Sequence, residues 1–473
     1  MKYLIKNKMI KILHKTDLIH FVGIGGIGMS GIAELMANLG YIVQGSDTKI
    51  NENIKRLQNK KIKIFIGHKK KNIKHINVLV FSSAIKKNNI ELMYAVEKRL
   101  PVVSRAEMLG ELMRFKRSIA VAGSHGKTTT TSILSSILQK AKIDPTIVNG
   151  GIINSLSSNS KMGKGKWMVV EADESDGSFL HLPNEINIIT NIDYEHMDYY
   201  KKFSNLYDSF KKFSSNIPFY GSSIICLESK NTKKLASQII KREIITYGIN
   251  KLKADLNIVK IKYMNNKSIF SLVISSRLIK SKQKYYSFYL NTLGEHNILN
   301  STAAIAASLK IGVKISIIKK ALLEYKGVQR RFTLLKKIRR ANVYDDYAHH
   351  PIEIKASMSI ARHLCKKKVI LIFQPHRYTR TKYLFNDFIN ILKKADVLII
   401  SKIYSAGEKE IKGLDKKLFN NLKKISKNKV IKFENENELF SIVDEYTYQK
   451  NLIIFMGAGS ITHWAKDFII NYR

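Results

Sequence analysis

Two glycine-rich loops and three polar clusters carry the chemistry in this 473-residue chain. The sharper loop is GSHGKTT, which follows the apolar run Ser118–Ala122 and precedes a helical run. Backbone N–H groups in such a loop wrap phosphate oxygens, and a helix N-terminus behind it adds unpaired donors. The candidate nucleotide contacts are therefore Gly123, Ser124, His125, Gly126, Lys127, Thr128 and Thr129. Lys127 suits the outer phosphates, and the Thr128 hydroxyl suits Mg²⁺. A full phosphate loop has a glycine five residues before Gly126. Val121 stands there, so the loop is a shortened variant.

The second loop, GIGGIG, matches G-x-G-x-x-G with Gly23, Gly25, Gly26 and Gly28. It lies between a strand-like run and a helical one, and Asp47 closes the next strand, where a ribose-binding carboxylate would sit. The pattern suits a pyrophosphate ligand. It does not separate NAD from a nucleotide-sugar diphosphate, and a turn that only packs helix on strand also fits.

Acidic residues crowd the segment EADESD, Glu171–Asp176. Carboxylates that close repel one another unless a cation is present, and oxygen-rich Mg²⁺ sites have this character. His196 and Asp198 follow the next strand, whose end can meet the first beside the phosphate loop. Asn297 and Asn300 share a helix face at i and i+3, either as a base or ribose clamp or with one acting as a cap. Toward the C-terminus, DDYAHHP and QPHRYTR end two further strands. Their histidines and arginines suit an anion and amino-acid site, or a polar rim.

The elements that position these groups alternate between short apolar strands and helices, which argues an α/β chain with mainly parallel sheets. Three such series suggest domains at 1–117, 118–327 and 328–473. Strands are expected over Leu18–Gly23, Tyr41–Ser46, Ser118–Ala122, Trp167–Ala172, Ile186–Asn191, Val343–Tyr347, Lys368–Gln374 and Leu452–Met456. The stretch from Tyr220 to Leu290 reads as strand-like and lysine-rich.

Composition excludes several classes. The net charge is +44, from 81 basic and 37 acidic residues. A nucleic-acid partner does not follow, because the lysines are spread evenly and accompany a general abundance of isoleucine and asparagine. Two cysteines, Cys226 and Cys365, give no disulfide framework. The basic N-terminus MKYLIKNKMIKILHK lacks the apolar core and cleavage site of a signal peptide, and no apolar run reaches bilayer length. A cytoplasmic enzyme without membrane attachment is expected.

In order along the chain, HFVGIGGIGMSGIAELM, GSHGKTTTT, EADESDGSFLHLP, TNIDYEHMD, GEHNILN, RRF, DDYAHHP and FQPHRYTRT resemble the Mur ligases of peptidoglycan synthesis. The resemblance spans His20 to about Trp464 and favours the alanine-adding member. It implies a Rossmann-like N-terminal domain, a central P-loop-type ATPase domain and a Rossmann-like C-terminal domain that closes over the site. It implies ATP and Mg²⁺, with UDP-N-acetylmuramate and L-alanine as substrates, so the first loop would serve UDP rather than NAD. Position by position, the implied catalytic set is Lys127, Glu171, His196, Arg331 and Asp346. Thr128, Glu171 and His196 would serve the metal; Asn297, Asn300 and Arg330 would serve the nucleotide. Tyr347, His349, His376, Arg377 and Arg380 would line the alanine and acyl-phosphate pocket, and His349 is the candidate base for the amine. A monomer or weak homodimer is expected.

Four positions depart from the family pattern: Ser124 for Thr, Ala348 for Gly, Glu295 for Arg and Gln329 for Gly. The competing readings are a sibling or folate-type ligase, an NAD-dependent oxidoreductase built on the first loop, and a basic nucleic-acid-binding ATPase. The oxidoreductase has no use for the phosphate loop or the acidic run.

Overall fold

A computed structural model describes residues 17–82, 84–264, 266–279, 282, 284–433 and 435–472. The N-terminal run considered as a signal peptide lies outside the described residues. The described residues form three sheets in two compact units. One unit runs to Lys262 and includes Ile269–Asn291 and Asn297–Gly327; the other comprises Tyr263–Ser268, Thr292–His296 and the chain from Val328.

The first sheet is parallel, in the order β3-β2-β1-β4-β5, from β1 (Leu18–Val22), β2 (Ile42–Asp47), β3 (Lys63–Ile66), β4 (Val78–Phe81) and β5 (Val102–Ser104). The order reverses on the two sides of β1, so the crevice beyond the C-terminal end of β1 is where the GIGGIG loop emerges. Helix Ile27–Asn38 follows that loop. Helix Arg105–Met113 then leads out, started by a capping box in which Ser104 and Glu107 satisfy each other's backbone N–H groups.

The second sheet has ten strands in the order β15-β14-β13-β12-β11-β10-β6-β9-β7-β8. Its centre is β6 (Arg117–Ala122), β9 (Trp167–Glu171) and β10 (Ile186–Ile189), all parallel. These are short apolar runs, as strands covered on both faces must be. The hairpin β7 (Thr146–Ile153) and β8 (Ser158–Lys161) was not expected: its glycines, serines and asparagines hide the strand signal. It exists because helix Ile27–Asn38 of the first sheet packs on both strands. A single apolar core, including Ile32, Leu35, Met108, Val148, Met168 and Phe179, therefore serves both sheets. Beyond β10 lie β11 (Ser222–Cys226), β12 (Glu243–Ile249), β13 (Leu256–Met264), β14 (Lys267–Ile274) and β15 (Lys284–Leu290). The stretch read as strand-like also contains a helix, Lys230–Gln238, capped by the Ser229 hydroxyl and held by buried Leu235.

The second unit carries a six-stranded sheet, β16-β17-β21-β18-β19-β20. Its core strands β17 (Ala341–Asp346), β18 (Val369–Phe373), β19 (Val397–Ile400) and β21 (Leu452–Met456) run parallel. Two lysine-rich edge strands, β16 (Thr333–Ile338) and β20 (Lys429–Lys432), went unread, because half-exposed edges carry weak apolar patterns. Among the described residues no helix is long and apolar enough to cross a membrane.

Polar groups link the first two sheets alongside the shared core. Arg56 donates to Ser30 Oγ at 3.2 Å and to Asn159 Oδ1 at 2.9 Å, and its Nε lies 3.5 Å from Glu34. Asn159 in turn donates to the Ile27 carbonyl at 2.6 Å. Replacing Arg56 by Ala leaves buried Glu34 and Asn159 short of partners, which costs about 1–3 kcal/mol. Urea unfolding of Arg56→Ala is expected to show a loss in that range; an unchanged midpoint would mean that these contacts are incidental.

Candidate active site

The phosphate loop is braced from below by the end of β10. Thr190 Oγ donates to the His125 carbonyl at 2.5 Å, Asn191 Nδ2 donates to the same oxygen at 3.0 Å, and Asn191 Oδ1 accepts from His125 N at 2.8 Å. Ser124 Oγ accepts from Asp193 N at 2.9 Å. The serine at this place therefore keeps the hydroxyl that the loop uses. Two glycines are obligatory for different reasons. Gly123 has φ +134°, and a Cβ there would lie 2.1 Å from Thr190 Oγ1. Gly126 has φ +82°, and a Cβ would meet Asn300 Oδ1 at 2.5 Å. That second contact brings Asn300 to the loop, with Asn297 one turn earlier on helix Glu295–Lys310.

Helix Lys127–Lys140 starts at the loop with no acidic residue in its first turn. Its free N–H groups and dipole favour an anion. Lys127 is folded against the loop: Nζ donates to Gly123 O at 2.6 Å and to Glu174 Oε1 at 2.8 Å. Burial acts to lower its pKa, but the carboxylates of Glu174, Asp173 and Glu171 outweigh burial and hold the ammonium above the ordinary lysine value. Thr128 is buried beside it.

The acidic run divides its labour. Glu171 Oε2 accepts from Gly150 N at 2.7 Å, an approach so close that a Cβ at Gly150 would sit 2.5 Å from the carboxylate and displace it. Asp173 pairs with Arg105 at 3.2 Å. Burial would raise Asp173, but Arg105 and Lys127 outweigh it and hold the carboxyl at about 2. Glu174 is wholly buried; its Oε2 has no hydrogen-bond partner among the described residues, and His196 Nε2 lies 3.7 Å from its Oε1. Lys127, Thr128, Glu171, His196 and Asn300 thus surround one loop. An ammonium, a hydroxyl, carboxylates and an imidazole beside an anion-binding helix end fit a nucleotide triphosphate with its divalent metal.

The first loop closes on itself. Gly23 N donates to Ser46 O at 2.8 Å, Gly25 N to Asp47 Oδ2 at 2.8 Å, and Asn53 Nδ2 to Gly25 O at 2.9 Å. Asp47 therefore shapes the loop with its own carboxylate. Gly28 faces Arg105, whose Nη1 lies 3.1 Å from where a Cβ would stand. Beneath the loop, buried Glu91 accepts from Asn72 at 2.6 Å and contacts His68 at 3.1 Å and His20 at 3.4 Å. Burial would raise Glu91, but hydrogen bonds from His20, Ser46 and Asn72 outweigh it and hold the carboxyl at about 2.

In the second unit, β17 and β18 deliver their polar ends to one place. Arg330 donates to Gly457 O at 3.0 Å and sits over the Tyr347 ring at 4.6 Å, with Arg331 at 5.3 Å from the same ring. His349 and His376 rings lie 5.6 Å apart, and Arg380 Nη1 is 3.0 Å from His376 Nδ1. Arg377 takes φ +69° at the start of helix Tyr378–Tyr383, and its N donates to Tyr404 O at 2.8 Å. Asp346 points away from this rim toward the Ser357 hydroxyl and is 3% exposed. Sequence reasoning passed over Arg105, Glu174 and Tyr404. Glu174 was visible in the acidic run, but only the fold separates it from Glu171; Arg105 and Tyr404 carry no motif signal.

Burial pushes Asp346 up to about 6, against the lowering effect of Ser357 and Arg331. The folded chain therefore holds this proton more tightly than the unfolded chain. That stabilises below pH ~4 and is lost as pH rises through ~6. Asp346→Asn removes the cost of the buried charge. Its thermal midpoint is expected to exceed that of the parent at pH 8, with the advantage fading toward pH 4. A lower midpoint at pH 8 would contradict the assigned direction.

Three segments match family models: residues 18–117 the Mur ligase family catalytic domain, 121–308 the Mur ligase middle domain, and 330–459 the Mur ligase glutamate ligase domain. The UDP-N-acetylmuramate–L-alanine ligase of Bartonella bacilliformis is 47% identical over 457 residues, covering 96% of each chain. That of Agrobacterium fabrum is 45% identical over 96% of this chain and 97% of its own. The crystal structure of UDP-N-acetylmuramate-alanine ligase from Thermotoga maritima superposes with a TM-score of 0.82 at 27% identity, covering 96% of this chain and 98% of that one. A murein peptide ligase from Psychrobacter arcticus, at 22% identity and TM-score 0.73, shares the fold. The chain belongs to the Mur ligase family.

Proposed function

We propose that this chain joins L-alanine to the carboxylate of UDP-N-acetylmuramate, consuming ATP with Mg²⁺. The observation that carries the reading is near-full-length identity of 47% to a ligase of that name, together with a phosphate loop built around Lys127. A carboxylate is a poor acyl donor. When bound, ATP would supply the phosphoryl group that turns it into an acyl phosphate, with ADP leaving and Mg²⁺ offsetting the charge; the amine then displaces phosphate.

The residues act by position and charge, not as covalent nucleophiles. Lys127 and the N–H groups of Gly123–Thr129 offset phosphate charge. Thr128, Glu171 and His196 would hold the metal, and Asn297 and Asn300 the nucleoside. Gly23, Gly25, Gly26 and Gly28 would let the pyrophosphate of the sugar nucleotide come close to the backbone, on a loop that Asp47 keeps in shape by accepting from Gly25 N. Arg330, Arg331, His376, Arg377 and Arg380 form a cationic rim for the acyl phosphate and the alanine carboxylate. Tyr347 and His349 line that rim, and His349, whose Nδ1 lies 2.9 Å from the Tyr347 carbonyl, would be a candidate to take the amine proton. Asp346 anchors the strand end that carries them. The domains implied are 1–117 for the sugar nucleotide, 118–327 for ATP and 328–473 for the amino acid.

Phosphate release from ATP is expected only when UDP-N-acetylmuramate and L-alanine are both supplied. Equal turnover with D-glutamate would overturn the amino-acid assignment. Lys127→Ala is expected to lower turnover about 100-fold or more while the chain stays folded by circular dichroism. Retained activity would remove the phosphate role.

A further inference from the structure

Lys127 has its own buried counter-ion, and that counter-ion is not one of the proposed metal ligands. Glu174 is 0% exposed and directs Oε1 at Lys127 Nζ, 2.8 Å away. Its backbone is pinned as well: Tyr200 OH donates to Glu174 O at 2.6 Å. Tyr200 is itself 4% exposed, so the carboxylate is held from both ends of the residue. The ammonium completes its shell with Gly123 O at 2.6 Å and Ser124 O at 3.4 Å. Lys127 thus enters the loop with its side chain already fixed, and its counter-ion weakens its attraction for an incoming anion. A lysine on a free stem would lose rotamer freedom on meeting phosphate; this one has lost it beforehand.

We infer that Glu174 is the positioning residue of the phosphate loop: it fixes the Lys127 ammonium for phosphoryl transfer and weakens ground-state nucleotide binding in doing so. The inference rests on the ATP-dependent reading above. It differs in sign from a structural role. Replacing the carboxylate by an amide leaves an oxygen for Nζ to bond but no longer neutralises the ammonium, whose charge then acts undiminished on a nearby anion. Nucleotide should then bind tighter while transfer slows, the pattern of a group whose removal favours the ground state over the transition state.

The test is titration of full-length protein with a non-hydrolysable ATP analogue and Mg²⁺, beside steady-state kinetics. Glu174→Gln is expected to lower Kd for the analogue about tenfold and to lower kcat by at least as much. In a Lys127→Met background the same change should shift Kd by no more than about twofold, because most of its effect passes through the lysine. Unchanged or weaker binding in Glu174→Gln overturns the inference. So does a tightening of the same size without the lysine, or a change confined to the Mg²⁺ requirement, which would make Glu174 a metal ligand. Should Glu174→Gln fail to fold, Glu174→Asp carries the test. It keeps the charge but retracts it by one methylene, so kcat falls while Kd stays within about twofold; unchanged kcat overturns the assignment. A parent protein that binds no analogue would instead defeat the ATP-dependent reading.

Discussion

A lysine ammonium taken out of water has to be surrounded by acceptors, and much of the central sheet is arranged to meet that demand. Lys127 finds a carboxylate on the segment after β9 and carbonyls in its own loop. The loop can present those carbonyls only because Gly123 and Gly126 take positive φ and leave room for Thr190 and Asn300. Thr190 and Asn191 in turn hold the loop from the end of β10. Three strand ends and one helix start therefore meet around one largely buried charge. Without compensation such a charge would cost several kcal/mol.

The same logic extends outward through arginine. Asp173 stands next to Glu174 and holds Arg105, whose side chain reaches Gly28 at the first loop. Adjacent carboxylates thus grip the phosphate loop on one side and the connector from the first sheet on the other. Arg56 and Asn159 add a second link between the sheets. This, with the shared apolar core, explains why the first two sheets form one compact unit although the sequence reads as two domains.

The departures from the family pattern fall where backbone geometry can absorb them. Ser124 supplies the hydroxyl that Asp193 needs. Ala348 is buried, and its N–H donates to Asp346 Oδ1 at 3.2 Å, so a methyl group is accommodated. Glu295 begins its helix, where an acid suits the dipole. The structure gives no specific account of Gln329.

Local sequence determined the parts of this protein that depend on local physics. Strand cores such as Ile186–Ile189 and Val369–Phe373 were legible because they are buried on both faces, and both glycine loops were legible because only glycine permits their turns. The ordered motifs were enough to mark the family. The sequence could not separate Glu171 from Glu174, since both lie in one acidic run; their partners, Gly150 and Lys127, come from β7 and the phosphate loop. Nor could it reveal β7 and β8, whose polar residues form strands only under a helix from another sheet. Arg105 carries no motif at all, and its importance is set by what stands opposite, which tertiary packing alone decides.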